Sequence, residues 1–313
     1  MLFAAGLAAV GWHVHTRPGP LTEAVTVIVP RGSGLASIGR RLEAAGVVAD
    51  ARLFSIAARL TADGPLQAGE YEFPARISGT EVLALLRSGK TVARRLTVAE
   101  GLTVSQVLAL VRDADGLSGE VTETPAEGSL LPETYHYSYG DSRDAILGRM
   151  RDSMERALEA AWPQRAPDLP LASPDEAVTL ASIVERETGL PAERPRVAAV
   201  FINRLRRGMK IQSDPTVIYA VSEGTGVLER PLSRADLVTA SPYNTYVHTG
   251  LPPGPIANPG LASIGAVLNP LDTDELYFVA DGNGGHVFAK TLAEHNRNVA
   301  RWRRLEREAR EKD

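Results

Sequence analysis

Residues 173–189 (SPDEAVTLASIVERETG) have the composition of one short helix with defined ends. Ser173 can accept a hydrogen bond at the N-cap, and Pro174 suits the first helical position, where no backbone donor is needed. Glu176 completes an S-x-x-E capping box, and Gly189 is typical of the residue that stops a helix. The segment between these signals is mostly apolar, so we expect this helix to pack into the core of its domain.

The apolar face of this predicted helix includes a carboxyl group. At about 100° per residue, Leu180, Ile183 and Val184 share one face and Glu187 falls in its middle, whereas Glu185 points roughly the opposite way. A carboxyl group among apolar side chains has a raised pKa and can donate a proton near neutral pH. The same spacing also fits a frayed last turn whose glutamate reaches water. Spacing alone favours this second interpretation and leaves both open.

Composition excludes several classes of function. The chain has 313 residues, 44% of them hydrophobic and 23% charged, which is typical of a globular protein of about two domains. A net charge of −4 gives no general attraction to nucleic acid, which is not an expected partner. The absence of cysteine excludes disulfides, thiolate chemistry and cysteine-based zinc sites.

The N-terminal residues 1–14 are mostly apolar and are followed by the break HTRPGP. The run is shorter than the roughly 20 residues that span a bilayer, and no positive residues precede it. It is either the distal part of a membrane anchor or a buried helix. Trp12 and the break favour the anchor, so we predict that residues 1–20 form a partial anchor and its exit from the membrane.

A strand-turn-helix pattern occurs twice in the N-terminal part of the chain. Aligning Gly32 with Gly101 places apolar residues at plus three, plus six and plus ten in both copies. Residues 21–115 are therefore predicted to form a small α+β module. It resembles the LysM-like region of some cell-wall enzymes, a small βαα-type fold that binds N-acetylglucosamine polymers. A packing module without a ligand is the alternative.

Residues 116–313 are predicted to form a second, mainly helical domain. Asp214 is expected to cap one of its helices, with Pro215 at the first position. Near the C-terminus, the turn sequence DGNGG between two β-type runs predicts a β-hairpin. The fold class expected for the whole chain is α+β, with a LysM-like module followed by a mixed, mainly helical catalytic domain.

Common catalytic motifs are absent from this sequence. There is no H-E-x-x-H, G-x-S-x-G, Walker A or G-x-G-x-x-G pattern. The six histidines have no metal-ligand spacing, and His286 and His295 are interpreted as a strand residue and a helix surface residue. We therefore expect neither a metal nor a cofactor.

The remaining chemistry is that of carboxylates and amides. The irregular segment 241–256 is rich in aromatic, amide and proline side chains, which suit a carbohydrate site. Hydrolysis of a glycosidic bond usually needs two carboxylates, and Asp214, the second candidate, fits a helix cap better. A reaction with one acid/base group fits better, provided that a hydroxyl of the substrate is the nucleophile.

Seven segments together resemble one known family. They are LASIVERET (180–188), VFINRL (200–205), QSDPTVIY (212–219), LSRADL (232–237), YNTY (243–246), GLPPGPI (250–256) and YFVADGNGGH (277–286). In this order they resemble the YceG-like family of endolytic murein transglycosylases. The resemblance extends over about residues 21–305.

This resemblance implies a bacterial envelope enzyme. The enzyme would be a single-pass protein of the inner membrane with its catalytic domain on the periplasmic side. It would cleave the MurNAc–GlcNAc bond in nascent peptidoglycan, leave 1,6-anhydro-MurNAc ends and thereby limit strand length. The implied partners are peptidoglycan glycan strands and peptidoglycan synthases (penicillin-binding proteins).

The resemblance also implies the site residues. The family's catalytic glutamate lies in a V-E-x-E-T segment and corresponds to Glu187, with Glu185 as the second choice. Each predicted substrate contact could instead be a cap, turn or loop-packing residue; they are Gln212, Ser213, Asp214, Tyr243, Asn244 and Tyr246. Two other functions remain open, a non-catalytic peptidoglycan-binding scaffold and a muramidase that uses Glu187 and Asp214 as two carboxylates.

Overall fold

The computed structural model describes residues 16–61 and 63–310, which form two compact units. The first unit contains the described residues up to Leu96 together with Ala114–Glu120 and His136–Arg143. The second contains Thr97–Asp113, Val121–Tyr135 and the described residues from Asp144 onward. Most of the predicted anchor, residues 1–15, lies outside the described residues. Within the described part of the chain, no helix is long and apolar enough to span a bilayer.

The first unit is built on a two-stranded antiparallel sheet. Its elements are β1 (Val25–Val29), α1 (Leu35–Ala44), α2 (Ala51–Leu60), β2 (Gly69–Phe73) and α3 (Gly79–Ser88). Strands β1 and β2 pair from Val25↔Phe73 to Val29↔Gly69. The core packs large side chains such as Leu42, Phe54, Tyr71 and Leu86, all almost completely buried, between the sheet and the helices.

The remaining elements include most of the helices. They are β3 (Arg94–Thr97), α4 (Val104–Asp113), β4 (Thr134–Tyr137), α5 (Arg143–Ala161), α6 (Pro174–Glu187), α7 (Arg194–Arg206), α8 (Asp214–Val221), α9 (Leu261–Leu268), β5 (Tyr277–Ala280), β6 (His286–Ala289) and α10 (Leu292–Arg310). Strand β3 pairs with β4, and β5 pairs antiparallel with β6 from Tyr277↔Ala289 to Ala280↔His286. The expected α+β fold class is confirmed at this level.

The predicted repeat is present in the backbone. Gly32 and Gly101 have φ of 77° and 78°, in the left-handed region that glycine adopts without strain. Helices α1 and α4 each begin three residues after their glycine and span ten residues.

The second copy of the repeat, however, does not belong to the first unit. Helix α4 lies in the second unit, although the sequence analysis placed it within module 21–115. The residues that precede it are tied to the second unit by hydrogen bonds. Gly101 N donates to Asn258 O at 2.9 Å, and Thr103 Oγ1 donates to Thr225 O at 3.2 Å.

Helix α6 lies in the core of the second unit, and its middle is buried on all sides. Every residue from Ala177 to Val184 is buried, mainly against α7 and α9. Small side chains allow these close approaches, and the polar Ser182 is satisfied because it donates to Thr179 O and accepts from Ile256 N. The helix therefore has no solvent face in this stretch, contrary to the single apolar face that the sequence predicts.

Both ends of α6 differ in detail from the prediction. Ser173 Oγ accepts from Glu176 N at 3.2 Å, but the Glu176 carboxylate accepts from Ala172 N, one residue before the expected donor. The helix ends because Thr188 is extended, with φ of −137° and ψ of 130°, and Gly189 is not left-handed. Glu187 is thus the last residue of the helix.

Candidate active site

Glu187 borders a cleft of about 620 Å³ in the second unit, within the size range of ligand sites. The cleft is formed by the end of α6, by α7, by the β5–β6 hairpin and by α10. Its lining is rich in rings, namely Phe201, Tyr246, Phe278, His286, His295 and Trp302. A carboxyl group beside aromatic faces is the arrangement that the sequence analysis associated with a sugar substrate.

The Glu187 carboxyl group is poised between its two protonation states. The pKa of Glu187 is raised to about 7, mainly by burial and to a lesser extent by the negative charge of Asp214. Three groups lower this pKa. Ser213 Oγ donates a 2.5 Å hydrogen bond to Glu187 Oε1, and His286 and Arg204 act through their positive charges. At neutral pH the group is therefore present both as an acid and as a carboxylate.

Ser213 is held rigidly behind this carboxyl group. Its side chain is buried, its backbone N donates to Thr245 Oγ1 at 3.0 Å, and Thr216 Oγ1 donates to its carbonyl at 2.7 Å. The Thr216 and Thr245 hydroxyls are also 2.9 Å apart. These two threonines position Ser213, and the sequence analysis missed both because each resembles an ordinary buried threonine.

Asp214 also lines the cleft, but not as the expected helix cap. Helix α8 begins at Asp214, and the N-cap residue is Ser213, which makes no side-chain capping bond. The predicted cap is wrong because the Asp214 carboxylate instead accepts a 2.6 Å hydrogen bond from Tyr246 Oη. Gln212 lines the cleft with φ of 54°, an uncommon and strained value for a residue with a Cβ.

The predicted contacts Tyr243 and Asn244 do not line this cleft. Asn244 is completely buried, where its Nδ2 donates to Leu237 O and Thr239 O and its Oδ1 accepts from Tyr246 N. The Tyr243 ring lies 4.9 Å from the Tyr219 ring. Their positions favour the alternative role of shaping the loop that presents Tyr246.

Glu185, the second choice for the catalytic residue, lies away from the cleft. One carboxylate oxygen pairs with Arg194 Nη2 at 2.9 Å, and the other accepts from Gly260 N at 2.9 Å. Its side chain is only 4% exposed. Both oxygens are thus committed to structural contacts.

Two residues of the cleft carry chemistry that the sequence analysis did not anticipate. His286 is a strand residue, as predicted, but it also lines the cleft, with Nδ1 2.7 Å from Glu193 Oε2. Arg204 is buried and donates to Leu276 O at 2.7 Å and to Ile211 O at 2.5 Å. Since the contacts His286–Glu193 and Arg204–Leu276 join residues that are distant in sequence, no spacing pattern could have indicated them.

Ser213→Ala is expected to move the pH dependence of any reaction that uses Glu187 as an acid. The hydrogen bond from Ser213 lowers the pKa of Glu187, so its removal raises that pKa and extends the protonated state to higher pH. The alkaline limb of the pH–rate profile should therefore shift upward. A profile measured across neutral pH checks this, and an unchanged or downward-shifted limb would contradict the assignment.

Fold and site together define an α+β protein in which a core helix ends in a titratable carboxyl group that faces an aromatic-lined cleft. The YceG-like family matches residues 27–301. An endolytic murein transglycosylase of Bacillus subtilis (strain 168) is 33% identical over 305 residues, which cover 87% of this chain and 83% of the relative. The chain belongs to the YceG-like family.

Two further relatives agree with this membership. An endolytic murein transglycosylase of Streptococcus pneumoniae serotype 2 (strain D39 / NCTC 7466) is 32% identical over 325 residues, which cover 88% of this chain but 58% of that protein. A 2.6 Å crystal structure of a putative yceG-like protein from Listeria monocytogenes superposes with a TM-score of 0.54 at 31% identity. That match covers 88% of this chain and 99% of the crystallised chain.

Proposed function

We propose that this chain is an endolytic lytic transglycosylase that cleaves the MurNAc–GlcNAc bond inside peptidoglycan strands. The proposal rests mainly on one observation, the titratable Glu187 carboxyl group in a cleft lined by aromatic rings. The names of the relatives from Bacillus and Streptococcus support the reaction class.

The proposed reaction uses Glu187 twice. Protonated Glu187 donates its proton to the glycosidic oxygen as the bond from the MurNAc anomeric carbon breaks. The 6-hydroxyl of the same MurNAc attacks that carbon, and the Glu187 carboxylate accepts the hydroxyl proton. The new intramolecular C–O bond gives a 1,6-anhydro-MurNAc end, and the proton on Glu187 is regained, so no water is consumed.

A pKa of about 7 suits both proton transfers, because an acid/base catalyst is most effective when its pKa lies near the operating pH. Asp214 favours the protonated starting state, and the Ser213 hydroxyl stabilises the carboxylate that forms midway. Tyr246 holds Asp214 in place through its 2.6 Å hydrogen bond. Gln212 and Tyr246 are the proposed polar contacts to the sugar.

The proposal extends to the place of the enzyme in the cell. Residues 1–20 would anchor it as a single-pass protein in the inner membrane, with the catalytic domain on the periplasmic side. The first unit would be a LysM-like glycan-binding module, which the order β1-α1-α2-β2 with antiparallel strands supports. Cleavage beside peptidoglycan synthases would limit the length of new strands.

A muramidase that uses Glu187 and Asp214 is the second candidate. Asp214 lines the same cleft, and its charge contributes to the raised pKa of Glu187. A hydrolase of this kind needs Asp214 to activate water or to attack the sugar. Asp214→Asn should abolish hydrolysis if this candidate is correct, whereas the proposed transglycosylase should keep its products and lose only rate.

Digestion of purified glycan strands, followed by size separation, tests the proposed activity. An endolytic enzyme should rapidly shorten long strands to mixed intermediate lengths. Release of only terminal disaccharides would contradict the endolytic mode. Binding without any shortening would identify a scaffold and overturn the proposal.

A further inference from the structure

A second cleft of about 510 Å³ adjoins the Glu187 cleft in the second unit. The two clefts share one lining residue, Asp214, at the start of α8. Ile218, one turn along α8, lines only the second cleft. A ligand group attached to a sugar at Glu187 could therefore reach the second cleft by passing Asp214.

The walls of the second cleft differ in chemistry from those of the first. None of the described residues that line it is aromatic, and half of them are aliphatic: Ile218, Val227, Leu228, Pro231 and Leu232. Without flat rings there is no stacking surface for another sugar. Aliphatic walls instead suit a short chain with small apolar side chains.

Two guanidinium groups also line the second cleft. Arg230 is already occupied, because it makes two hydrogen bonds to the Asp236 carboxylate at 2.6 and 2.9 Å. Arg186 makes no ion pair with any of the residues that the structure describes. It donates only two long hydrogen bonds, to Gly101 O at 3.3 Å and Gly226 O at 3.4 Å. A guanidinium in this state can accept a carboxylate partner in bidentate geometry.

We propose that the second cleft binds the peptide branch of the glycan and that Arg186 pairs with a carboxylate of that branch. The inference rests on the proposed function. In peptidoglycan the branch is a short peptide that contains alanine residues and free carboxylates, and it starts on MurNAc, the sugar whose bond would be cleaved. The second cleft therefore lies where that branch must go, next to the sugar at Glu187.

Binding measurements with the Glu187→Gln variant test this proposal without turnover. Calorimetry compares glycan oligomers of one length, either with their peptides or with the peptides removed by an amidase. Glu187→Gln should bind the peptide-bearing form at least about five-fold more tightly, since a charge-assisted pair adds this order of affinity. Adding Arg186→Met should reduce this preference to nearly none and leave affinity for the bare strand unchanged.

Two further variants make the result specific. Arg234 is exposed and lies close in sequence to Leu232, but it does not line the second cleft. Arg234→Met should therefore keep the preference for the peptide-bearing form. Val227→Asp places a repelling carboxylate on an exposed wall position and should abolish the preference even if Arg186→Met does not fold. Equal affinity of Glu187→Gln for both strands, or equal weakening of both by Arg186→Met, would overturn the proposal. Failure to bind either strand would overturn the proposed function as well.

Discussion

Glu187→Gln is expected to reduce cleavage of glycan strands by about 10³-fold, the usual loss when a general acid/base is removed. The amide keeps the size of the side chain but can neither donate the proton nor take one back. Strand shortening, followed over time by chromatography, measures the loss. Glu159→Gln, which changes an exposed carboxylate on α5, is the matched control and should cleave like the parent protein.

The same variant should change the pH dependence of stability. Burial raises the pKa of Glu187 from 4.5 to about 7 in the folded state, so the folded protein holds a proton that the unfolded chain has released between these values. Stability contributed by this protonation is present at low pH and is lost as pH rises through the folded pKa. Gln does not titrate and has no such dependence. At pH 8 the free energy of unfolding of Glu187→Gln should therefore exceed that of the parent by on the order of 2 kcal/mol.

Chemical denaturation at pH 5 and pH 8 measures this difference. The parent should lose stability between the two values relative to Glu187→Gln. Identical pH dependence in both proteins would show that Glu187 does not have a raised pKa. Retained cleavage by Glu187→Gln would remove it from the catalytic role.

Arg194→Met is expected to destabilise the second unit by about 3–5 kcal/mol, because it leaves the carboxylate of Glu185 buried without its cation. Glu185 is 4% exposed, and after the change only the Gly260 backbone N–H would remain as a partner. The Arg194 contact with Glu100 adds little, because Glu100 is 42% exposed. Denaturant titration of the parent and the variant measures the loss.

A double variant separates the ion pair from other effects of the substitution. Arg194→Met combined with Glu185→Met removes both charges and should recover much of the lost stability. If the free energy of unfolding of Arg194→Met lies within about 1 kcal/mol of the parent value, the structural role of this pair is contradicted. That result would reopen the choice between Glu185 and Glu187.

Local sequence signals predicted much of the backbone. Ser173 at the N-cap of α6, followed by Pro174 in the first turn, marks the start of this helix through contacts within a few residues, as predicted. Gly32 and Gly101 likewise mark the two turns of the repeat, because their positive φ is a property of the turn itself. Such features depend on neighbours in the chain and can be inferred without knowing the tertiary structure.

Tertiary contacts decided the features that the sequence analysis left open or predicted incorrectly. Helix α6 is buried on all sides from Ala177 to Val184, and Glu185 and Glu187 are both partly buried, so the helical wheel could not separate these two glutamates by burial. The distinction lies in their partners: Arg194 neutralises Glu185, whereas Glu187 faces the cleft with the Ser213 hydroxyl. Asp214 was predicted as a cap because Pro215 follows it, which is a local signal for a helix start. Its observed partner, Tyr246, is distant in sequence and gives no local signal.

Digestion of glycan strands in water enriched in a heavy oxygen isotope tests the central claim most directly. The claim is that Glu187 acts alone and that the nucleophile is the 6-hydroxyl of the substrate. Mass spectrometry should then find anhydro ends without heavy oxygen, and these ends should be absent in the Glu187→Gln control. Reducing ends that carry the heavy isotope would show that water is the nucleophile and would contradict the account.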